Sequence, residues 1–150
     1  VLQAQDLLAE KYHVGADVWS ITSYKELYWD GQECERWNLL HPAERPRVPY
    51  VTSCVGETPG VFVAVSDYVK ALPDSISRWF PGPVISLGTD GFGRSDSRKE
   101  LRNFFEVDAR FITFAVLTAL FREKQIEAGV LQKAMQDFGI DPEKVDPMRA

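Results

Sequence analysis

The sequence predicts an α/β fold, with helices in three-layer α/β/α fashion about a mostly parallel sheet. Two observations carry this. Short apolar, strand-forming runs alternate with segments whose apolar residues recur at helical spacing, which is the pattern of a layered α/β domain. The run Val61–Val65 is apolar on both faces, as a strand covered by helices on either side must be. Turn signals at Pro59-Gly60 and Pro81-Gly82-Pro83 mark the ends of these segments.

The first element is a helix, because Val1, Ala4, Leu7, Leu8 and Tyr12 share one face while Gln3, Gln5, Asp6 and Glu10 fall on the other. Gly15 follows, and Ala16–Ile21 reads as a strand. Ser23 and Glu26 stand three apart in a capping-box arrangement that opens a helix through Leu27 and Tyr28. Beyond Gly31 a short helix is expected around Glu33–Leu40. An extended excursion should follow, since Pro42, Pro46 and Pro49 each remove an amide donor and restrict the residue before them.

After the strand at Val61–Val65, Asp67 is placed to cap a helix toward Trp79 that Pro73 should kink or split. Val84–Leu87 is a further strand, leading into a glycine-rich loop from Gly88 to Asp96. Ser97 and Glu100 form another capping box for a short helix with Leu101, Phe104 and Phe105. Asp108 should cap a longer helix, apolar from Phe111 to Leu120. A last helix buries Val130, Leu131, Ala134, Met135 and Phe138 and stops at Gly139, the usual left-handed residue past a helix end. Asp141-Pro142 and Asp146-Pro147 turn the tail. There is no internal repeat, and one α/β domain is expected over 1–150.

A net charge of −5 argues against a phosphate-tracking nucleic-acid binder, whose affinity comes from a lysine and arginine surplus. No apolar run reaches the roughly 20 residues of a membrane span. Cys34 and Cys54 make neither a disulfide framework nor a zinc pattern, and read as buried thiols in a reducing cytoplasm. Val1 already lies in a helical pattern with no basic region ahead of it. No secretory signal is read there, and the chain is expected to be cut from a longer one.

Gly88–Ser95 spells G-x-x-x-x-G-R-S, one residue from a phosphate-binding loop. That loop needs a lysine where Arg94 stands, and a helix beginning at once so that its amides face the anion. Here the expected cap is Ser97, so the glycines are read as turn formers. There is no G-x-S-x-G elbow. His13 and His41 lack companions at metal-ligand spacing. Cys34, Asn38 and His41 fall at i, i+4 and i+7, which is equally a helix face. Arg94, Arg98 and Arg102 form a basic stripe at i, i+4, i+8, near Asp90, Asp96 and Glu106. Ion pairs on the surface or at an interface are the expected use of these arginines, and a partner contact the sharper reading.

Two segments carry a resemblance. Gly88–Arg102, with Phe105-Glu-Val-Asp108, resembles the C-terminal domain shared by transketolase-type enzymes. Cys34–Pro42, followed by Pro46–Tyr50, resembles the family of homodimeric bacterial-type pyruvate dehydrogenases; Val18–Ser23 and Ile140–Pro147 are similar in style. The resemblance implies a parent that decarboxylates pyruvate on thiamine diphosphate and magnesium, and acetylates the lipoyl group of a dihydrolipoyl acetyltransferase component. It places the cofactor between two preceding domains across a dimer interface, and this domain in support of the homodimer. No catalytic, cofactor-binding or metal-binding residue carries over. The family's magnesium motif, G-D-G with asparagine some 25 residues on, is half met by Asp90-Gly91, and Asn103 comes too soon. The family's domain opens with a strand and a glycine turn before its first helix. This chain is therefore expected to lack that strand and to leave a sheet edge open. The alternative to a structural and dimerisation domain is an independent module that binds a small anionic ligand at the strand-end crevice, or a partner protein.

Overall fold

The computed structural model describes residues 1–150. Its sheet has two strands, β1 (Phe62–Val65) and β2 (Val84–Leu87), paired in parallel from Phe62↔Val84 to Val65↔Leu87. Parallel neighbours need a crossover. Here it contains a one-turn helix, α4 (Ala71–Asp74), and a 3-10 turn at Ser77–Trp79. The run toward Trp79 is split, as expected, but the break falls after Asp74, and Pro73 itself is buried within the single turn of α4. Asp67 does not cap it. Its carbonyl instead accepts from Thr89 Oγ1 at 2.8 Å, while Asp90 Oδ1 accepts from the Lys70 amide at 2.9 Å.

The remaining helices are α1 (Leu2–Tyr12), α2 (Tyr24–Leu40), α3 (Tyr50–Val55), α5 (Arg98–Phe104), α6 (Ala109–Arg122) and α7 (Ala128–Phe138). Helix α6 is central and packs on α1, α7 and both strands. Its start is fixed by Asp108, whose Oδ1 accepts from the amides of Arg110 (2.9 Å) and Phe111 (3.2 Å). Such a cap supplies acceptors for amides that have no partner within the helix. Thr113 is fully buried without penalty, because its hydroxyl donates to the Ala109 carbonyl at 2.8 Å. The core divides into two clusters: Leu8, Leu117, Ala134 and Phe138 join α1, α6 and α7, while Val51, Val55, Ile76 and Trp79 join α3 to the crossover. Ser23 and Ser97 accept from the amides three residues on, at 3.2 and 3.3 Å, and Gly139 ends α7 in left-handed backbone.

Three expectations are corrected. Ala16–Ile21 forms no strand; no neighbour offers it a ladder, and the hydrogen bond it receives comes from Gln5 Nε2, at the Ala16 carbonyl. The helices expected on either side of Gly31 are one continuous α2, because Gly31 does not break the helix but makes room beside it. A Cβ there would sit 2.4 Å from the Trp79 ring. Finally, the proline-rich excursion ends in α3, which no sequence signal had marked. Pro49 precedes it without a side-chain cap bond, and Asp30 Oδ2, reaching over from α2, accepts from the Tyr50 amide at 2.6 Å.

Candidate functional site

A cleft of about 980 Å³ lies between the C-terminal end of β1 (Val65–Asp67), the start of α1, and the α5–α6 junction. Strand ends of this kind are where parallel sheets place ligands. Arg98, Lys99 and Arg102 line it from α5, facing Asp67, Glu100 and Asp108 among its acidic groups. Arg110 also lines it but is fully engaged. It donates to Asp108 Oδ2 (2.6 and 3.0 Å), Asn103 Oδ1 (2.6 Å) and the Phe138 carbonyl (3.2 Å).

The three stripe arginines do not form one helical face. Helix α5 begins at Arg98, so Arg94 lies in the preceding loop, its guanidinium 4.2 Å from the Phe104 ring and lining a separate hollow of about 330 Å³. Within the chain these arginines form no ion pair with Asp90, Asp96 or Glu106, because each acid is taken elsewhere. Asp90 meets Lys70 (3.7 Å), Asp96 Oδ1 accepts the Ser97 amide (2.6 Å), and Glu106 meets Lys144 (3.1 Å). Arg94, Arg98 and Arg102 are therefore exposed cations without acidic partners.

The glycine-rich loop is a connection and not a phosphate cradle. Gly91 has φ of 87°, open to glycine at little cost, and a Cβ on Gly88 would lie 2.5 Å from the Tyr68 carbonyl. The helix starts four residues after Arg94, out of register with a phosphate-binding loop. Nor do the residues fit a magnesium–diphosphate site: both Asp90 oxygens serve Lys70, and Asn103 Oδ1 serves Arg110. No group of three His, Cys, Asp or Glu stands where it could hold a metal ion.

Cys34, Asn38 and His41 share α2 and its end, but each has structural work. Burial, followed by the carboxylate of Asp30, pushes the Cys34 thiol up from its ordinary value, and buried thiols of this kind are poor nucleophiles. His41 stacks on Trp37 at 4.3 Å with Nδ1 2.8 Å from the Trp37 carbonyl. Asn38 makes a reciprocal pair with Arg47, donating to its carbonyl (2.9 Å) and accepting from its amide (2.7 Å). Arg47 lies over Trp37 and near Glu33. The segment from Pro42 to Pro49 is thus strapped onto α2. Sequence reasoning missed Asp30, Arg110 and Lys144, whose partners lie 20, 28 and 40 residues away and leave no local signal. His13 ends α1 in left-handed backbone.

The model of the transketolase-like TK C-terminal domain matches residues 1–108, most of the chain. The chain belongs to that family. Among relatives of this transketolase-like domain is the pyruvate dehydrogenase E1 component of Pseudomonas aeruginosa, 48% identical over 149 residues, which cover 99% of this chain and 17% of that protein. The same-named protein of Escherichia coli is 46% identical over 151 residues, covering 100% of this chain and 17% of its own length. That of Mycolicibacterium smegmatis is 44% identical over 140 residues, 93% of this chain and 15% of that protein. The chain thus spans about a sixth of the length of the curated relatives it matches, and its transketolase-like α/β character agrees with helices around a small parallel sheet. No helix is long and apolar enough to cross a membrane.

Proposed function

We propose that residues 1–150 act as one C-terminal structural and dimerisation domain of a pyruvate dehydrogenase E1 polypeptide. The parent enzyme decarboxylates pyruvate on thiamine diphosphate with magnesium, and passes the acetyl group to the lipoyl group of the dihydrolipoyl acetyltransferase component. The parent is a cytoplasmic homodimer, and the chemistry takes place on protein outside these residues. The observation that carries this reading is 48% identity across 99% of the chain to a pyruvate dehydrogenase E1 component. The engagement of Asp90, Asn103, Cys34 and His41 in local bonds supports it.

The test is to incubate the chain alone with thiamine diphosphate, magnesium and pyruvate. No carbon dioxide release and no cofactor binding by calorimetry are expected, and turnover would overturn the reading. Deleting these residues from the complete enzyme should weaken its dimer in analytical ultracentrifugation.

A second reading is favoured by the cleft at the end of β1 and its unpaired cations: binding of a small anion or docking of the acetyltransferase component there. Calorimetry with nucleotides, and a pull-down with that component's peripheral binding region, test these in turn. Arg98→Ala with Arg102→Ala is the informative pair, and Arg94→Ala, outside the cleft, is the control.

A further inference from the structure

Helix α5 carries two of the unpaired arginines, Arg98 and Arg102, yet buries no residue, and Gly91–Glu100 is exposed throughout. Apolar packing therefore does little to hold its N-terminal half in place. Polar clasps close its C-terminal end instead. One is Arg110, which donates to Asn103 Oδ1. The other comes from the tail. Lys144 Nζ donates to the carbonyls of Asn103 (3.0 Å) and Phe104 (2.7 Å) and to Glu106 Oε1 (3.1 Å). An ammonium has three donors, and here all three are used, two of them on carbonyls at the helix's negative end.

The tail is shaped to deliver that lysine. Asp141 Oδ1 accepts from the Glu143 amide (2.9 Å), and the Lys144 amide returns to the Asp141 carbonyl (3.3 Å), turning the chain inward. A second turn follows at Asp146, whose Oδ1 accepts from the Met148 amide (3.0 Å). It lays the Met148 backbone against the glycine loop, 3.2 Å from where a Cβ on Gly91 would stand. The tail thus touches both ends of the segment that bears Arg94, Arg98 and Arg102.

We propose that residues 141–150 are a strap and Lys144 its buckle: the tail holds α5 as a movable wall of the 980 Å³ cleft, and release of Lys144 frees that wall without unfolding the core. Hydrogen exchange on the complete native polypeptide tests this with Lys144→Met, Lys144→Arg and a deletion of residues 141–150. Met keeps the aliphatic stem and removes the donors. Exchange in peptides spanning 98–106 should rise roughly tenfold or more in Lys144→Met and equally in the deletion, with Lys144→Arg in between. Peptides from α7 should stay within about twofold of the parent. Unchanged α5 exchange in Lys144→Met overturns the proposal. So does acceleration in the deletion alone, which removes the role from Lys144, or equal acceleration across α5, α6 and α7, which makes the contact one of general stability.

Discussion

Replacing Gly31 by alanine reverses the usual expectation for a glycine within a helix. In an ordinary helix interior the change stabilises by about 1 kcal/mol, because alanine has less backbone freedom to lose. At Gly31 the new methyl would lie 2.4–2.5 Å from three atoms of the Trp79 ring. Trp79 is 7% exposed and held on several sides. Its Nε1 donates to Glu35 Oε1 at 2.8 Å, its carbonyl accepts from Thr52 Oγ1 at 2.7 Å, and its ring meets Tyr28 at 6.0 Å. The indole must therefore shift or α2 must retreat. Overpacking of this kind costs about 1–3 kcal/mol. Straining the bond to Glu35, which is only half-buried, adds about 1 kcal/mol.

Set against the propensity gain, the net loss for Gly31→Ala is about 1–3 kcal/mol. Urea unfolding followed by tryptophan emission measures it, since Trp79 is the one buried tryptophan and its displacement should also shift the native spectrum to the red. A variant more stable than the parent, with unshifted emission, would show that Gly31 is an ordinary helix glycine and that the Trp79 contact decides nothing.

Asp108→Ala removes both α6 cap bonds and the main acidic partner of Arg110, so stability should fall by about 1–2 kcal/mol in thermal unfolding. Asn38→Ala opens the reciprocal clasp on Arg47, and trypsin should then cut after Arg47 several times faster, with α6 and α7 peptides still resistant. In a polypeptide extended before Val1, as long as the relatives are, amides of Ala16–Ile21 and of β1 should exchange roughly tenfold more slowly than in this chain, because a strand laid on the open edge of β1 would pair them. Equal exchange in the two polypeptides would show that no strand is added there.

Most helices were legible because their signals are local. Asp108, Ser97, Ser23 and Gly139 mark boundaries through bonds made within three residues or through one backbone angle. The arginine stripe failed for a related reason. Helical spacing was carried backward through Arg94, although Ser97 already stood as the cap, and a cap makes what precedes it non-helical. The pairs within the chain fall elsewhere because sequence distance says which charges are near in the chain and not which are nearer in space. Lys70 reaches Asp90 across the crossover, and Lys144 reaches Glu106 from the tail.

Ala16–Ile21 and Gly31 failed in a way that no better reading of a local window would repair. A strand is a relation between two segments: its amides and carbonyls point sideways and need a neighbour to accept and donate. Val18, Trp19 and Ile21 supply strand-forming side chains, but Val18 and Trp19 are exposed and the segment has no ladder. Both strands that do pair are only half-buried along their length, as expected of a sheet with unpaired edges on both sides. Gly31 is the same case within a helix, since the reason for the glycine is a tryptophan 48 residues later. In both places the residue type is explained by what lies beside it in space. The completeness of the sheet is thus a question about neighbours, and exchange at Ala16–Ile21 answers it more directly than any further reading of those six residues.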